Sequence, residues 1–437
     1  MLVGLIALIG LLSQRKSLTE ILSGTIKTIV GFTILNAGAD LVAMALAPIG
    51  KIFAGAFGLS GLIPNNEATV SYALKSHGGE AALILGLGML VNILMARLTR
   101  FKFIFLTGHL ALYMATMLAM LLGSLGYSGA LLIITGGLAL GLLMSVLPAL
   151  ADPYMEKITG SSEIALGNFG TLGYVLSAAL GKIWGRAEDS TEEIRLPRRL
   201  AFFKEGTVSI TLIMALIYLV IALLAGPTFI EAELSQGEHY LVYALLQAIL
   251  FAAGVFIIMQ GVTLVLEEIV PAFRGISERY VPSAKPALDG PVVYPYAPNA
   301  VLIGFVSSFT GGLVALAFLL IVGSRVIVPG LVAHFFCGAT SAVFGNVTGG
   351  RRGAILGAFL NGILFTLLPG LLYDIIPALQ AASTSYSDTD FVVSGLLLKG
   401  LGRVLRPGGL TALLIALILL SIVRESWRQV QRRRGGR

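Results

Sequence analysis

The sequence predicts an all-α polytopic membrane protein with ten or eleven transmembrane helices, re-entrant hairpins and an inverted internal repeat. Three observations lead there. Of its 437 residues 56% are hydrophobic and only 12% charged, where soluble domains carry roughly 25% charged residues. Mean hydropathy is +0.90. Apolar segments of spanning length recur along the chain, and the 53 glycines suit close helix packing in lipid.

The first apolar run, residues 1–12, is short for a span, which needs roughly 20 residues. No charged n-region precedes it and no small-residue cleavage site follows, so no cleavable signal peptide is expected. Either its helix continues through the interface or the true start lies upstream. Further spans are expected near 26–49, 81–98, 103–122, 130–150, 164–183, 208–224, 241–266, 301–322, 326–347, 354–371 and 410–423.

The net charge of +7 does not point to nucleic acid, because the basic residues sit in short inter-helix segments and the tail. Arg15/Lys16, Arg97/Arg100/Lys102, the segment with Arg195, Arg198 and Arg199, and the tail with Arg432-Arg433-Arg434 all belong in the cytoplasm by the positive-inside rule. The C-terminus is therefore expected there too. The hydrophilic stretch 186–204 reads as a linker, so residues 1–195 are expected to form a first membrane repeat. Residues 196–437 would form a second, ending in the basic tail. Ser23-Gly24-Thr25 is echoed by Glu205-Gly206-Thr207, and Gly167-Asn168 by Gly345-Asn346. With an odd number of spans in each half the repeat is inverted, an architecture that places binding sites near the bilayer midplane at broken helices.

Polar side chains interrupt the apolar sequence at four places. Leu288-Asp289-Gly290-Pro291, continuing through Tyr294-Pro295-Tyr296-Ala297-Pro298-Asn299, reads as broken backbone at membrane depth, where an ionisable residue is a functional-site candidate. Pro64-Asn65-Asn66-Glu67 suits the tip of a re-entrant hairpin. His109 and Tyr113 lie four apart on one helix face, and Asn168-Phe169 sets an amide and an aromatic beside glycine. Together Asn66, Glu67, His109, Tyr113, Asn168, Phe169 and Asp289 are the expected binding residues. Amides, carboxylates, imidazole and aromatic rings equip a pocket for a small polyhydroxylated molecule.

Structural alternatives stay open for His109 as a helix–helix hydrogen-bonding residue, for Asn168 and Asn346 as helix caps, and for Glu67 as a solvated loop carboxylate. His77, His239 and His334 show no metal-ligand spacing, and neither a metal nor another cofactor is expected. The lone Cys337 excludes an intramolecular disulfide and reads as a small buried residue. Phosphate-loop, nucleophile-elbow and zinc-helix signatures do not occur, so no catalytic residue is assigned.

Five motifs, in order over nearly the whole chain, carry a family resemblance. They are Arg15-Lys16-Ser17, Gly24-Thr25-Ile26-Lys27-Thr28-Ile29-Val30-Gly31-Phe32, Leu106-Thr107-Gly108-His109, Gly275-Ile276-Ser277-Glu278-Arg279 and Ala297-Pro298-Asn299-Ala300-Val301. The chain resembles the ascorbate-type membrane (IIC) component of the bacterial phosphotransferase system. That resemblance implies a homodimer in the cytoplasmic membrane, each protomer a substrate-carrying core domain and a V-shaped scaffold domain. It implies transport of ascorbate or a related carbohydrate by an elevator motion, coupled to phosphorylation by a separate cytosolic IIB protein charged by IIA. It also implies substrate contacts at His109 and Asp289. Where the ascorbate proteins have a threonine-tyrosine pair this chain has Asn66-Glu67; for their glutamine it has Tyr113, and for their histidine-glutamine Asn168-Phe169. Glu67 would face an anionic substrate with like charge, offset by a proton or a cation, or the substrate is a neutral sugar or polyol. An ion-coupled or facilitative carrier of the same fold, without phosphotransferase coupling, is the alternative.

Overall fold

A computed structural model describes residues 2–56, 61–194 and 206–435. Helices dominate: α1 (Leu2–Ser13), α2 (Leu18–Gly55), α3 (Asn66–Leu98), α4 (Gly108–Ser124), α5 (Gly129–Thr159), α6 (Thr171–Trp184), α7 (Gly206–Ala225), α8 (Pro227–Glu233), α9 (Tyr240–Arg279), α10 (Pro298–Ile321), α11 (Leu331–Ile375), α12 (Pro377–Ala382) and α13 (Thr389–Gly435). Among the described residues seven helices are long and apolar enough to cross a membrane, or eight if the bent pair α7 and α8 forms one span.

The number of full-length spans is thus smaller than the apolar segments suggest, for two physical reasons. The expected spans at 103–122 and 164–183 each open with a short strand, which leaves helices of 17 and 14 residues. Those at 326–347 and 354–371 join into α11, kinked at Gly350, whose φ of +56° is left-handed. A side chain at Gly350 would meet the carbonyl oxygens of Arg186 and Asp189 at 2.4 Å, so glycine is required there. The chain entering from α6 wraps this kink, with Arg186 N–H donating to the Gly349 carbonyl and Arg351 N–H to that of Asp189. Asn346 serves the same junction: its side chain accepts from Thr191 N–H and donates to Ser190. The cluster Arg195, Arg198 and Arg199, the expected boundary at 195/196 and Glu205 lie outside the described residues.

The helices pack in two groups. In the first, α2 lies along α9, with α1, α7 and α8 against them. Ser17 caps α2 through a capping box with Glu20. Glycines let the two long backbones touch: a Cβ at Gly38 would stand 2.7 Å from Ile258 N, and one at Gly261 2.5 Å from Leu35 N. Small residues at such contacts are what lipid-embedded helices use in place of a hydrophobic driving force. Lys27 and Glu268 add an ion pair of 3.0 Å across the same helices. The second group holds α3 to α6 and α10 to α13, with α10 on α11, α6 on α11 and α3 on α5 as its main contacts.

Three short strands, β1 (Phe103–Phe105), β2 (Ala165–Leu166) and β3 (Lys285–Leu288), interrupt this second group. They form a parallel sheet in the order β1-β3-β2, with Phe105 opposite Ala287 and Leu166 opposite Leu288. Backbone without helical hydrogen bonds is tolerated among membrane helices only when protein satisfies it. Here each break pairs with another. The outer edge of β1 is closed by the fully buried amide of Asn92 on α3. Its oxygen accepts from Phe105 N–H at 3.0 Å, and its nitrogen donates to the Phe103 and Met144 carbonyls and to Ser145. Lys285 ties the start of β3 to α5 through Asp152 at 2.8 Å and Glu156 at 3.0 Å.

Asn92→Leu keeps the volume of the side chain but orphans a buried N–H and a buried C=O. It is expected to destabilise the chain by about 1–3 kcal/mol per orphaned group, read as a lowered midpoint of thermal unfolding in detergent. An unchanged midpoint would show that the edge of β1 needs no partner.

Candidate substrate-binding site

Each strand ends in a turn that delivers one polar side chain. β1 runs into Thr107 and the first turn of α4, which bears His109; β2 runs into Gly167 and Asn168; β3 runs into Asp289. Because the strands are parallel and adjacent, the three residues emerge together at one edge of the sheet. The turns also lock to one another. Gly167 N–H donates to the Leu288 carbonyl at 2.6 Å, and the Thr107 hydroxyl donates to the Gly167 carbonyl at 2.6 Å.

Asp289 is the centre of this cluster. One of its oxygens accepts from the Asn168 amide and from Gly290 N–H, both at 2.7 Å. The other lies 3.5 Å from His109 Nε2. Asn168 is held from behind, its oxygen accepting from Gly170 N–H at 2.7 Å and from the Tyr174 hydroxyl at 2.9 Å. It therefore caps the turn and borders the cavity at once. The Tyr113 ring meets His109 edge to face, with centroids 5.7 Å apart.

These groups line a cavity of about 710 Å³, large enough for a monosaccharide-sized ligand. Asn66 and Glu67 border it from the start of α3, where Asn65 caps the helix by accepting from Ala68 N–H at 2.7 Å. Six of the seven expected residues thus face one space. Phe169 does not. It is fully buried, stacked on Phe105 at 5.2 Å and tilted against Phe391 at 5.5 Å, and it supports the sheet edge from the apolar side. Cys337 is buried as expected, and it borders the cavity with Thr340 on α11. His334 is a packing residue, hydrogen-bonded to Ser308 at 2.8 Å.

Two sets of lining residues went unread in the sequence. The first is Ser387 and Asp388, ahead of α13. Asp388 accepts from the Asn66 amide at 3.0 Å and from the Ser387 hydroxyl at 2.6 Å, while Ser387 N–H donates back to the Asn66 oxygen. Two residues on, Asp390 caps α6, accepting from Thr171 and Leu172 N–H at 2.9 and 3.0 Å. The second set is a face of α2: Asn36, Asp40, Ala43, Ala47 and Lys51, spaced three to four apart, close the opposite wall. The cavity therefore lies between the two helix groups. A third unread signal is a repeat: Leu62-Ile63-Pro64 before α3 matches Ile327-Val328-Pro329 before α11, and Leu62 and Ile327 pair in a parallel bridge.

Carboxyl groups outnumber basic side chains in this space, with Asp40, Glu67, Asp289 and Asp388 against Lys51 and His109. Such a lining can accept hydrogen bonds from several hydroxyl groups at once, with Asn66 and Asn168 placed to fix their positions.

Comparison with known proteins points the same way. The family model described as the sugar-specific permease component of the phosphotransferase system matches residues 1–390. The ascorbate-specific phosphotransferase EIIC component of Mycoplasma pneumoniae is 27% identical over 406 residues, covering 81% of this chain. The match spans 62% of the length of that relative. With most of its length matched and with its helices long enough to span a bilayer, the chain belongs to the family of sugar-specific permease components of the phosphotransferase system.

Proposed function

We propose that this protein is the membrane (IIC) component that binds ascorbate or a related sugar or polyol and carries it across a bacterial cytoplasmic membrane. A separate IIB protein, charged by IIA, phosphorylates the substrate as it arrives. The observation that supports this best is the cavity itself. His109, Asn168 and Asp289 from three broken elements converge with Asn66, Glu67 and Asp388 on a space of sugar size, with its far wall supplied by the other helix group. A site between two separately packed groups suits an elevator motion, in which α3 to α6 and α10 to α13 move as the core against a scaffold of α1, α2 and α7 to α9. The homodimer, with its contact through the scaffold, and a cytoplasmic C-terminus belong to the same reading. So does the division into repeats at 1–195 and 196–437, which the matched segments before α3 and α11 favour.

The ion-coupled or facilitative carrier is the second reading, and the several carboxylates around one cavity favour it, since proton- or sodium-linked sites are built from such groups. Uptake of labelled ascorbate, sugars and polyols into cells expressing the chain separates the two. A phosphorylated product that appears only with a cognate IIB protein is the expected result. Unmodified substrate accumulating without IIB would replace the proposal with the carrier.

Asp289→Asn keeps an oxygen for Asn168 and Gly290 but removes the charge opposite His109. It is expected to weaken binding of the transported substrate by about 10- to 100-fold while the purified protein stays folded; calorimetric titration with normal affinity would remove Asp289 from the site. Glu67→Gln should tighten binding of ascorbate by a factor of about five, from the loss of about 1 kcal/mol of like-charge repulsion. Equal affinity of both proteins would dismiss the repulsion.

A further inference from the structure

A second pocket, about 70 Å³, lies between the C-terminal end of α3 and the last part of α13 and shares no lining residue with the substrate cavity. Three guanidiniums border it. Arg424 and Arg428 are one turn apart on one face of α13, and Arg100 follows α3 with its guanidinium 5.2 Å from the centre of the Phe101 ring. Glu425 is the one carboxylate in the lining, so the pocket is basic, and Ser421 adds a hydroxyl. Lys102 lies nearby, close enough to feel the charge of the lining carboxylate Glu425. Its ammonium, whose pKa burial lowers, closes the end of α3 by donating to the carbonyls of Ala96 and Arg97 at 3.0 and 3.3 Å.

Two features set this pocket at the edge of the bilayer. Trp427, 64% exposed, stands between Arg424 and Arg428 in the chain and is one of only two tryptophans; exposed tryptophan settles at headgroup level. On the other side, large apolar side chains are open to the surroundings on both helices: Leu417, Leu420 and Val423 on α13, Leu94 and Leu98 on α3. Leu420 and Phe101 belong to the pocket wall itself. A ligand here meets guanidiniums at one end and hydrocarbon at the other.

We propose that this pocket binds the phosphate of an anionic phospholipid, with its acyl chains over the exposed leucines of α3 and α13. Guanidinium forks match phosphate oxygens in geometry and charge, and basic pockets between membrane helices hold acidic headgroups. The apolar wall selects a ligand with a hydrocarbon part, which free phosphate and a soluble phosphoprotein lack.

The test uses the full chain purified in detergent, offered phosphatidylglycerol and phosphatidylcholine in equal amounts and followed by native mass spectrometry. Phosphatidylglycerol should be retained preferentially. The combined substitution R100Q/R424Q/R428Q should reduce that preference by about tenfold or more, and the single changes R424Q, at an exposed side chain, and R428Q, at a half-buried one, should each reduce it in part. R186Q/R352Q, a loss of charge at another surface, should keep it, as should an excess of inorganic phosphate added to the wild type. Undiminished preference in both single variants would overturn the proposal. Displacement of the lipid by inorganic phosphate would make this a free-anion site instead. Loss of IIB binding with lipid preference unchanged would make it a protein-docking surface.

Discussion

Backbone polar groups among membrane helices have no water to turn to, and that constraint organises the binding half of this protein. Helices satisfy it along most of the chain. Where the chain leaves helical geometry, at residues 103–105, 165–166 and 285–288, the three breaks satisfy one another as a parallel sheet, and Asn92 closes the outer edge. The cost of breaking helices is offset by this mutual pairing. Parallel pairing has a second consequence: all three breaks finish at the same edge. His109, Asn168 and Asp289 are far apart in sequence, yet they meet because their strands end side by side. Thr107 on Gly167, and Asn168 on Asp289, then fix the turns relative to one another.

The cavity built on this edge draws on both helix groups. The sheet edge, the start of α3 and residues 387–388 form one wall, each held by several hydrogen bonds: the Asn66 side chain bonds to both Asp388 and Ser387, and Asp289 accepts two besides its approach to His109. The α2 wall is different in kind. Asn36, Asp40 and Lys51 project from a single helix packed by its glycines onto α9. A well-braced wall opposite a helix that belongs to another group is the arrangement expected where a ligand travels with one body and leaves the other behind.

Much of this was legible in the sequence, because polar side chains in an apolar run are costly and stand out. That logic found Asn66, Glu67, His109, Tyr113, Asn168 and Asp289. It failed for Phe169, since an aromatic beside Gly-Asn looks the same whether it lines a cavity or fills a core; the ring stack with Phe105 decides for the core. The strands were invisible for a related reason. Phe103-Ile104-Phe105 sits within a long apolar stretch, and periodicity cannot tell three buried strand residues from the start of a buried helix. Asp388 was masked by its neighbourhood, Thr384-Ser385-Tyr386-Ser387-Asp388-Thr389-Asp390, which reads as a polar loop although Asp388 and Asp390 are buried. Asn36 and Asp40 did leave a signal, an i, i+4 polar pair within an expected span.

The central claim is that the substrate lies between the sheet edge and α2, touching both. The measurement that tests it most directly is substrate protection from alkylation, with single cysteines placed at Glu67 on one wall and Ala47 on the other, in a Cys337→Ser background. Both positions line the cavity. Saturating transported sugar should slow labelling at both, and leave unchanged a cysteine at Gly86, on an open face of α3. Unaltered labelling at both cavity positions would place the substrate elsewhere and contradict the account.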